Sequence, residues 1–160
     1  MEFAGKRFLI LGGGVTGSAV AKVLEQLGAF IKVADKKPLP DFANHPIDDV
    51  ANLDYDYAVV SPGWKPDHPL IQALVSANVP LTSEIDIAWH FRNLHQPEQR
   101  WIAITGTNGK TSTTELTAAM LNAAGINAIA CGNVGTTVIE SVWSEHKYQV
   151  LVLEVSSFQL

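Results

Sequence analysis

Residues 7–28 have the sequence RFLILGGGVTGSAVAKVLEQLG, and this stretch decides the fold of the first half of the chain. Residues 7–11, apolar from Phe8 to Leu11, have the length of a buried strand, and three glycines follow directly. Apolar residues then recur at helical spacing up to Gly28. The stretch therefore predicts a strand, a tight turn and a helix, whose sheet-facing positions are Val20, Val23, Leu24 and Leu27.

The alternation of strand and helix continues to residue 94. Further strands are predicted at 30–35, 57–61 and 79–82, and further helices at 69–78 and 83–94. Residues 38–54 contain three prolines and are predicted to be a loop. After the third strand, Pro62 presets φ and Gly63 tolerates a positive φ, which predicts a sharp turn. Such alternation is typical of an α/β fold with a parallel sheet.

The pattern restarts after a polar run at 95–100, which we interpret as a linker between two domains, 1–94 and 101–160. In the second part, strands are predicted at 101–105, 126–130 and 148–155, and helices at 110–124 and 136–145. Two or three strands with two helices cannot cover both faces of a sheet. Residues 101–160 are therefore predicted to be an incomplete domain.

Composition and charge exclude several classes of protein. The net charge is −5 and the pI is near 5.4, which argues against broad nucleic-acid binding. The single cysteine, Cys131, cannot form an internal disulfide, and the five histidines match no zinc pattern. The apolar run at 8–11 is too short for a signal peptide or a membrane span. We expect a cytoplasmic protein with neither nucleic acid nor membrane as a partner.

The first glycine-rich loop matches G-x-G-x-x-G through Gly12, Gly14 and Gly17, between a strand and a helix. Asp35 ends the next strand, where a carboxylate can accept hydrogen bonds from a ribose or a base. The loop therefore indicates a nucleotide site, with NAD as the default ligand; the alternative is a tight turn with Asp35 merely ending a strand. Lys36 and Lys37 can grip phosphates or can be two solvated lysines.

A second glycine-rich loop, GTNGKTS at 106–112, also lies between a strand and a helix. It departs from the usual phosphate loop, because Ile104 stands where the first glycine is expected. Backbone amides there can still surround phosphate oxygens, while Lys110 can neutralise phosphate charge and the Thr111 hydroxyl can ligate Mg²⁺. The helix that follows is predicted to bury a face formed by Leu116, Met120 and Ala123.

Glu154 lies in a run that is otherwise apolar from Val150 to Val155. Because an unpaired buried carboxylate is costly, we predict that it faces a metal, a cation or the open end of its strand, with a structural salt bridge as the alternative. Asn133 follows another predicted strand, where α/β sheets present ligand contacts, although it can equally be a turn residue.

These motifs resemble the Mur ligase family. TGTNGKT at 105–111 is similar to the shortened phosphate loop that the family shares with folylpolyglutamate synthases, and LEVSSFQL at 153–160 resembles the members that add D-glutamate. GGGVTG with Asp35, SPG at 61–63 and GNVG at 132–135 follow in the order of the family. The resemblance covers all 160 residues but only the amino-terminal part of such an enzyme.

The resemblance implies a Rossmann-like parallel-sheet domain followed by the truncated start of a P-loop-type ATPase domain. It implies Lys110 and Glu154 as catalytic residues, and Thr111 and Glu154 as Mg²⁺ ligands. The implied ATP-binding residues are Gly106, Thr107, Asn108, Gly109, Lys110, Thr111 and Ser112. The residues implied to bind a uridine diphosphate substrate are Val15, Thr16, Asp35, Lys36, Lys37, Gly63 and Asn133.

The implied activity is that of an ATP- and Mg²⁺-dependent ligase of peptidoglycan synthesis. Such an enzyme adds D-glutamate to UDP-N-acetylmuramoyl-L-alanine through an acyl phosphate. The histidine and modified lysine that ligate metal in the family, and its D-glutamate site, lie beyond Leu160, so we expect the 160-residue chain alone not to be a competent ligase.

Three alternatives stay open at the level of sequence. An NAD(P)-binding module of an oxidoreductase explains the first glycine loop but leaves Lys110, Thr111 and Glu154 unexplained. A non-catalytic nucleotide-binding module is the second alternative. The third is a ligase that adds another amino acid, which SSFQL at 156–160 disfavours, or a folate polyglutamylating enzyme, which would not need the first loop.

Overall fold

Two parallel β-sheets organise the chain, one in each of two units, Met1–Glu84 and Ile85–Leu160. The structure is a computed structural model that describes residues 2–35, 44–45 and 54–156. Strands and helices alternate in both units, so the predicted α/β class is confirmed. No helix within these described ranges is both long and apolar enough to cross a membrane.

The first unit contains a five-stranded sheet and two helices. Its strands pair in the order β3-β2-β1-β4-β5, and every pair is parallel. The elements in chain order are β1 (Arg7–Leu11), α1 (Val15–Gln26), β2 (Phe30–Ala34), β3 (Asn44–His45), β4 (Tyr57–Val60), α2 (Pro69–Ser76) and β5 (Leu81–Thr82).

Helices α1 and α2 cover opposite faces of this sheet. Alternate residues of a strand point to opposite sides, so each helix contacts a different set of β1 residues. From β1, Leu9 and Leu11 join a buried cluster with Leu70 and Leu74 of α2. Ile10 points to the other face, where its side chain lies against α1 at Gly17. Since both faces of the central strand are apolar, β1 is a continuous hydrophobic run from Phe8 to Leu11, as expected for a buried parallel strand.

Two details of the first unit differ from the sequence pattern. In the predicted loop at 38–54, Asn44–His45 form β3, a two-residue edge strand that pairs with β2, and 38–43 and 46–53 lie outside the described residues. A two-residue strand is held by its partner and not by its own propensity, so the sequence carries little signal for it. The turn after β4 does form, with the Trp64 amide donating to the Ser61 carbonyl at 3.1 Å, but Gly63 has no positive φ.

The second unit contains a three-stranded parallel sheet in the order β6-β8-β7. Its buried cluster joins Ala118, Ala128, Val150 and Val152, while Leu151 and Leu153 are buried on the opposite face. The remaining elements of the chain are α3 (Glu84–His95), β6 (Arg100–Ile104), α4 (Lys110–Ala123), β7 (Ala128–Gly132), α5 (Val138–Trp143) and β8 (Val150–Glu154).

Helix α3 packs with the second unit. The Phe91 ring lies 4.7 Å from that of Trp143, the Trp89 ring lies 5.0 Å from that of Trp101, and Arg92 donates to a backbone carbonyl at the start of β6. These contacts explain why the two units divide after Glu84. The sequence predicts other limits, namely functional domains at 1–94 and 101–160 with a linker at 95–100. These limits stay a prediction.

The predicted buried face of α4 was wrong. Leu116 is 62% exposed and Met120 is 64% exposed, whereas Thr114 and Ala118 are buried against the sheet. Both sets have helical spacing, so the spacing alone does not identify the buried face. Thr114 can be buried because its hydroxyl donates to the Lys110 carbonyl at 2.9 Å, so its polar group is satisfied within the helix.

An ionic cluster at the start of β1 predicts a pH dependence of stability. Asp56 accepts from the Arg7 backbone amide at 2.8 Å and from Lys6 Nζ at 3.1 Å, and these contacts lower its pKa below the ordinary 3.8. A carboxylate with a depressed folded pKa stabilises the fold above its ordinary pKa, and this stability is lost as pH falls through the folded value.

We therefore expect Asp56→Asn to lower the free energy of unfolding at about pH 7 and to have progressively less effect below about pH 4. Urea unfolding of both proteins across this range measures the difference. Glu25→Gln removes an exposed carboxylate of the same unit and is the matched control. A difference that stays constant from neutral to acidic pH would contradict this assignment.

Candidate functional site

The first glycine loop begins at the carboxyl end of β1, the central strand of its sheet. Gly12 has a φ of +95°, a conformation that favours glycine. Gly17 lies in the first turns of α1, where an added Cβ would stand 1.8 Å from the Gly12 carbonyl oxygen. The third glycine of the motif therefore allows α1 to approach the strand closely, as the spacing predicts.

The amino terminus of α1 is open to a ligand. Its N-cap, Gly14, makes no side-chain capping hydrogen bond. By contrast, α2 is capped by His68, whose Nδ1 accepts from the Leu70 amide at 3.2 Å, and α5 is capped by Thr137. Within the part of the chain that the structure describes, no side chain caps the first amides of α1, so they are available to an anion, and Val15 beside them is 79% exposed. Thr16 is half-buried in the same turn.

Asp35 is brought to the glycine loop. Its Oδ2 accepts from the Gly13 backbone amide at 2.6 Å, so the carboxylate at the end of β2 lies beside the loop that follows β1. The predicted proximity of these two features is present in the structure, while the role of Asp35 toward a nucleotide stays a prediction. Lys36 and Lys37 lie outside the described residues.

The turn after β4 closes the other side of the glycine loop. Ser61 Oγ donates to the Gly12 carbonyl at 3.3 Å, and the Trp64 indole lies so close to Gly12 that an added Cβ would stand 3.0 Å from Trp64 Nε1. Gly63 is exposed, with open space around its α-carbon. Of this turn, the family resemblance implies Gly63 as a site residue but not Ser61 or Trp64. Ser61 lies within the SPG motif, and Trp64 follows it directly.

The second glycine loop joins β6 to α4 in the second unit. Gly109 is the N-cap of α4 with a φ of +72°, and Gly106 has a φ of +153°. As in α1, no side chain among the described residues caps the helix, so its first amides are available to phosphate oxygens. Thr107, Asn108 and Ser112 are exposed on the loop and the first turn.

Lys110 lies over this loop. Its Nζ donates to the Gly106 carbonyl at 2.8 Å, so the ammonium is held against the first residue of the loop. The amino terminus of α4 and the Lys110 ammonium thus both contribute positive potential at this loop. The missing first glycine of the usual motif does not remove this arrangement.

Thr111 and Glu154 meet at the same edge. Glu154 ends β8 and is only 6% exposed, and its Oε2 accepts from the Thr111 hydroxyl at 2.8 Å. Thr111 belongs to α4, the helix after the loop, and Glu154 belongs to the central strand β8. The parallel register of β6 and β8 places Ile104, just before the loop, beside Glu154. A hydroxyl and a carboxylate held together here form a set of hard oxygen ligands suited to Mg²⁺.

This pair fits Mg²⁺ better than a metal that needs a complete protein cage. Over the described part of the chain, no three histidine, cysteine, aspartate or glutamate side chains converge on one point. Mg²⁺ usually keeps several waters and takes one or two protein ligands together with phosphate oxygens.

Gly132 lets β7 reach this edge. It has a φ of +99°, and an added Cβ would stand 2.5 Å from the Glu154 carbonyl oxygen. The next residue, Asn133, is exposed, and its backbone amide donates to that same carbonyl at 2.9 Å. The second unit therefore brings Lys110, Thr111, Asn133 and Glu154 to one edge, and Gly132 is a structural requirement that the sequence reading missed.

The chain is similar to known proteins of one family. Residues 104–160 match the Mur ligase middle domain. A UDP-N-acetylmuramoylalanine–D-glutamate ligase of Streptomyces coelicolor is 38% identical over 99% of this chain and 37% of its own length. The enzyme of that name from Nocardia farcinica is 34% identical over the whole chain and 36% of its own length.

Two solved structures share the fold. A UDP-N-acetylmuramate:L-alanyl-γ-D-glutamyl-meso-diaminopimelate ligase of Neisseria meningitides superposes with a TM-score of 0.58 at 20% identity, over 97% of this chain and 55% of that one. A UDP-N-acetylmuramate–alanine ligase of Thermotoga maritima gives 0.53 at 22% identity, over 94% of this chain and 37% of that one. The chain spans little more than a third of the length of each of the two curated relatives. It belongs to the Mur ligase family.

Proposed function

We propose that this chain carries the nucleotide-substrate site and the ATP site of a ligase that adds D-glutamate to UDP-N-acetylmuramoyl-L-alanine in peptidoglycan synthesis. The names of the two curated relatives support the reaction. The observation that carries the proposal is the hydrogen bond between Thr111 and the buried Glu154. It lies at the uncapped start of α4, where Lys110 also bonds to the glycine loop. An oxidoreductase module has no use for this second site.

The first unit would bind the uridine diphosphate moiety. The open amides of α1 and the backbone of the glycine loop suit a diphosphate. Asp35 lies where its carboxylate can accept from the ribose or the base. The other residues assigned to this substrate in the first unit are Val15, Thr16, Lys36, Lys37 and Gly63.

The second unit would bind ATP and Mg²⁺. The loop amides at 106–109 and those of Lys110, Thr111 and Ser112 would surround the phosphates, and Thr111 with Glu154 would hold the metal. Mg²⁺, when bound, supplies neutralisation of phosphate charge. Lys110 would add a fixed positive charge beside the γ-phosphate, and Asn133 would contact the substrate from the same edge.

The reaction follows from the chemistry of a carboxylate, which is a poor electrophile at neutral pH. The alanyl carboxylate attacks the γ-phosphorus of ATP, ADP leaves, and an acyl phosphate forms. The D-glutamate amine then attacks the acyl carbon, phosphate leaves, and an amide bond remains. Lys110 stabilises charge on the transferred group, and its contribution is positioning and electrostatics, as for other phosphoryl transfers.

The proposal extends to organisation and location. Residues 1–94 would form the substrate-binding domain and residues 101–160 the beginning of the ATP-binding domain, joined by 95–100. Because ATP and UDP-linked precursors are cytoplasmic metabolites, we place the protein in the cytoplasm.

Simultaneous binding tests the proposal. We expect calorimetric titration of the chain to show one site for UDP-N-acetylmuramoyl-L-alanine and one for ATP with Mg²⁺, and saturation of either site to leave the other available. Competition between the two ligands for a single site would contradict the assignment of one site to each unit.

Glu154→Gln tests the metal ligands. Glutamine can still accept from the Thr111 hydroxyl, so the local fold is kept, but it lacks the negative charge that attracts Mg²⁺. We expect Mg²⁺ to strengthen ATP binding to the wild-type chain and this gain to fall by roughly tenfold or more in the variant. Binding without Mg²⁺ should change little.

The matched control is Glu115→Gln, which removes an exposed carboxylate of the same unit from α4, the helix that carries Thr111. If Glu154→Gln kept the full Mg²⁺ dependence, Glu154 would not be a metal ligand. Equal losses in both variants would point to net charge and not to coordination.

A further inference from the structure

One aromatic side chain beside the first glycine loop has no role in the proposed reaction so far. Trp64 lies in the turn after β4, and its indole Nε1 is so near Gly12 that an added Cβ there would stand 3.0 Å away. Its other contacts fix the ring. It packs against the buried cluster of β1 and α2, and its centroid lies 4.6 Å from the His68 ring in an edge-on arrangement.

Trp64 is only half-buried, so packing uses part of its surface. Pro62, Gly63 and Lys65 around it in the turn are all exposed. The rest of the indole belongs to a turn at the carboxyl end of β4, next to the loop assigned to the diphosphate. A rigid aromatic surface beside a polar loop is a common component of small-molecule sites.

The strand order gives the direction in which a ligand would extend. Asp35 follows β2, the glycine loop follows β1, and Trp64 follows β4, and these strands are neighbours in the order β2-β1-β4. The diphosphate position thus lies between Asp35 on one side and Trp64 on the other. With the ribose or base on the Asp35 side, the group attached to the far phosphate extends toward Trp64.

We infer that Trp64 is a specificity-determining residue whose indole packs against the sugar attached to the diphosphate, so that the site prefers a nucleotide sugar to the bare nucleotide. The inference rests on the proposed function of the first unit. The carbon-bound hydrogens of a sugar ring form an apolar face, and an aromatic ring offers a flat surface of matching size with little loss of side-chain freedom.

The test compares two ligands on three proteins. Calorimetric titration with UDP and with UDP-N-acetylmuramoyl-L-alanine is carried out on the wild-type chain, on Trp64→Leu and on Trp64→Phe. Leucine keeps an apolar contact to the buried cluster but removes the aromatic surface, whereas phenylalanine keeps a ring. Trp89→Ala, which removes a tryptophan from the second unit, is the matched control.

We expect Trp64→Leu to weaken binding of the nucleotide sugar by about fivefold to tenfold and to leave binding of UDP unchanged within about twofold. Trp64→Phe should recover most of the loss, and Trp89→Ala should behave as wild type. Equal weakening of both ligands by Trp64→Leu would overturn the inference, because it would mean that Trp64 only supports the glycine loop.

The failure of the proposed function would look different. If the wild-type chain bound neither ligand, the assignment of the first unit to a uridine nucleotide would fall, and the role of Trp64 would fall with it. If the wild-type chain bound both ligands and Trp64→Leu bound both equally well, the substrate assignment would stand and only the role of Trp64 would be overturned.

Discussion

Lys110→Ala is expected to weaken ATP binding to the chain by roughly tenfold to a hundredfold, because a charge-assisted contact to phosphate is lost from the loop. In a complete ligase carrying this sequence, D-glutamate-dependent phosphate release should fall by about a hundredfold or more, since the charge acts most strongly on the transferred group. Binding of UDP-N-acetylmuramoyl-L-alanine should be unchanged. Titration and a phosphate-release assay measure these effects.

The second unit offers a matched control for this substitution. Lys147 is another lysine whose Nζ donates to a backbone carbonyl, that of Ser144 at 2.9 Å, but it lies just before β8, at the amino-terminal edge of the sheet. Lys147→Ala removes the same charge and should leave ATP binding and turnover close to wild type. Turnover that survived Lys110→Ala would remove Lys110 from the mechanism.

Gly17→Ala is expected to lower the free energy of unfolding of the first unit by about 3 kcal/mol or more. The new Cβ would stand 1.8 Å from the Gly12 carbonyl oxygen and 3.0 Å from its carbon, and both are backbone atoms that cannot rotate away. Helix α1 would have to separate from β1, which would disrupt the core and the loop together. Urea unfolding followed by circular dichroism measures the loss.

Gly14→Ala is the control for this steric account. Gly14 has a φ of −63°, and an added Cβ there meets nothing within 4 Å. The free energy of unfolding should change by less than about 1 kcal/mol. A loss as large as that of Gly17→Ala would show that the loop tolerates no side chain for reasons other than close helix-strand packing.

The sequence was sufficient to predict most elements of both sheets. Strand β1 has the predicted bounds 7–11, since a continuous apolar run that ends in glycines allows few other structures. The two glycine loops were also predictable, because the order strand, glycines, helix gives each motif its structural context. Thr111 and Glu154 were named together only by the family resemblance, which implies both as Mg²⁺ ligands, and the structure joins their side chains by a hydrogen bond.

Other features depend on contacts that no local pattern encodes. Strand β3 exists only through its pairing with β2, and the rotation of α4 was set by the fit of Thr114 and Ala118 to the sheet. The need for glycine at 132 arises from the backbone of Glu154, a residue of another strand. Trp64 directly follows SPG at 61–63, and no sequence pattern predicts its role, since its contact with Gly12 is made between neighbouring strand ends.

The central claim is that the first glycine loop binds a uridine nucleotide substrate and not a pyridine nucleotide. Parallel calorimetric titrations of the chain with UDP-N-acetylmuramoyl-L-alanine, NAD⁺ and NADP⁺ test it most directly. We predict saturable binding of the uridine compound at one site and no binding of either pyridine nucleotide. Saturable binding of NAD⁺ or NADP⁺, without binding of the uridine compound, would contradict the ligase assignment of the first unit.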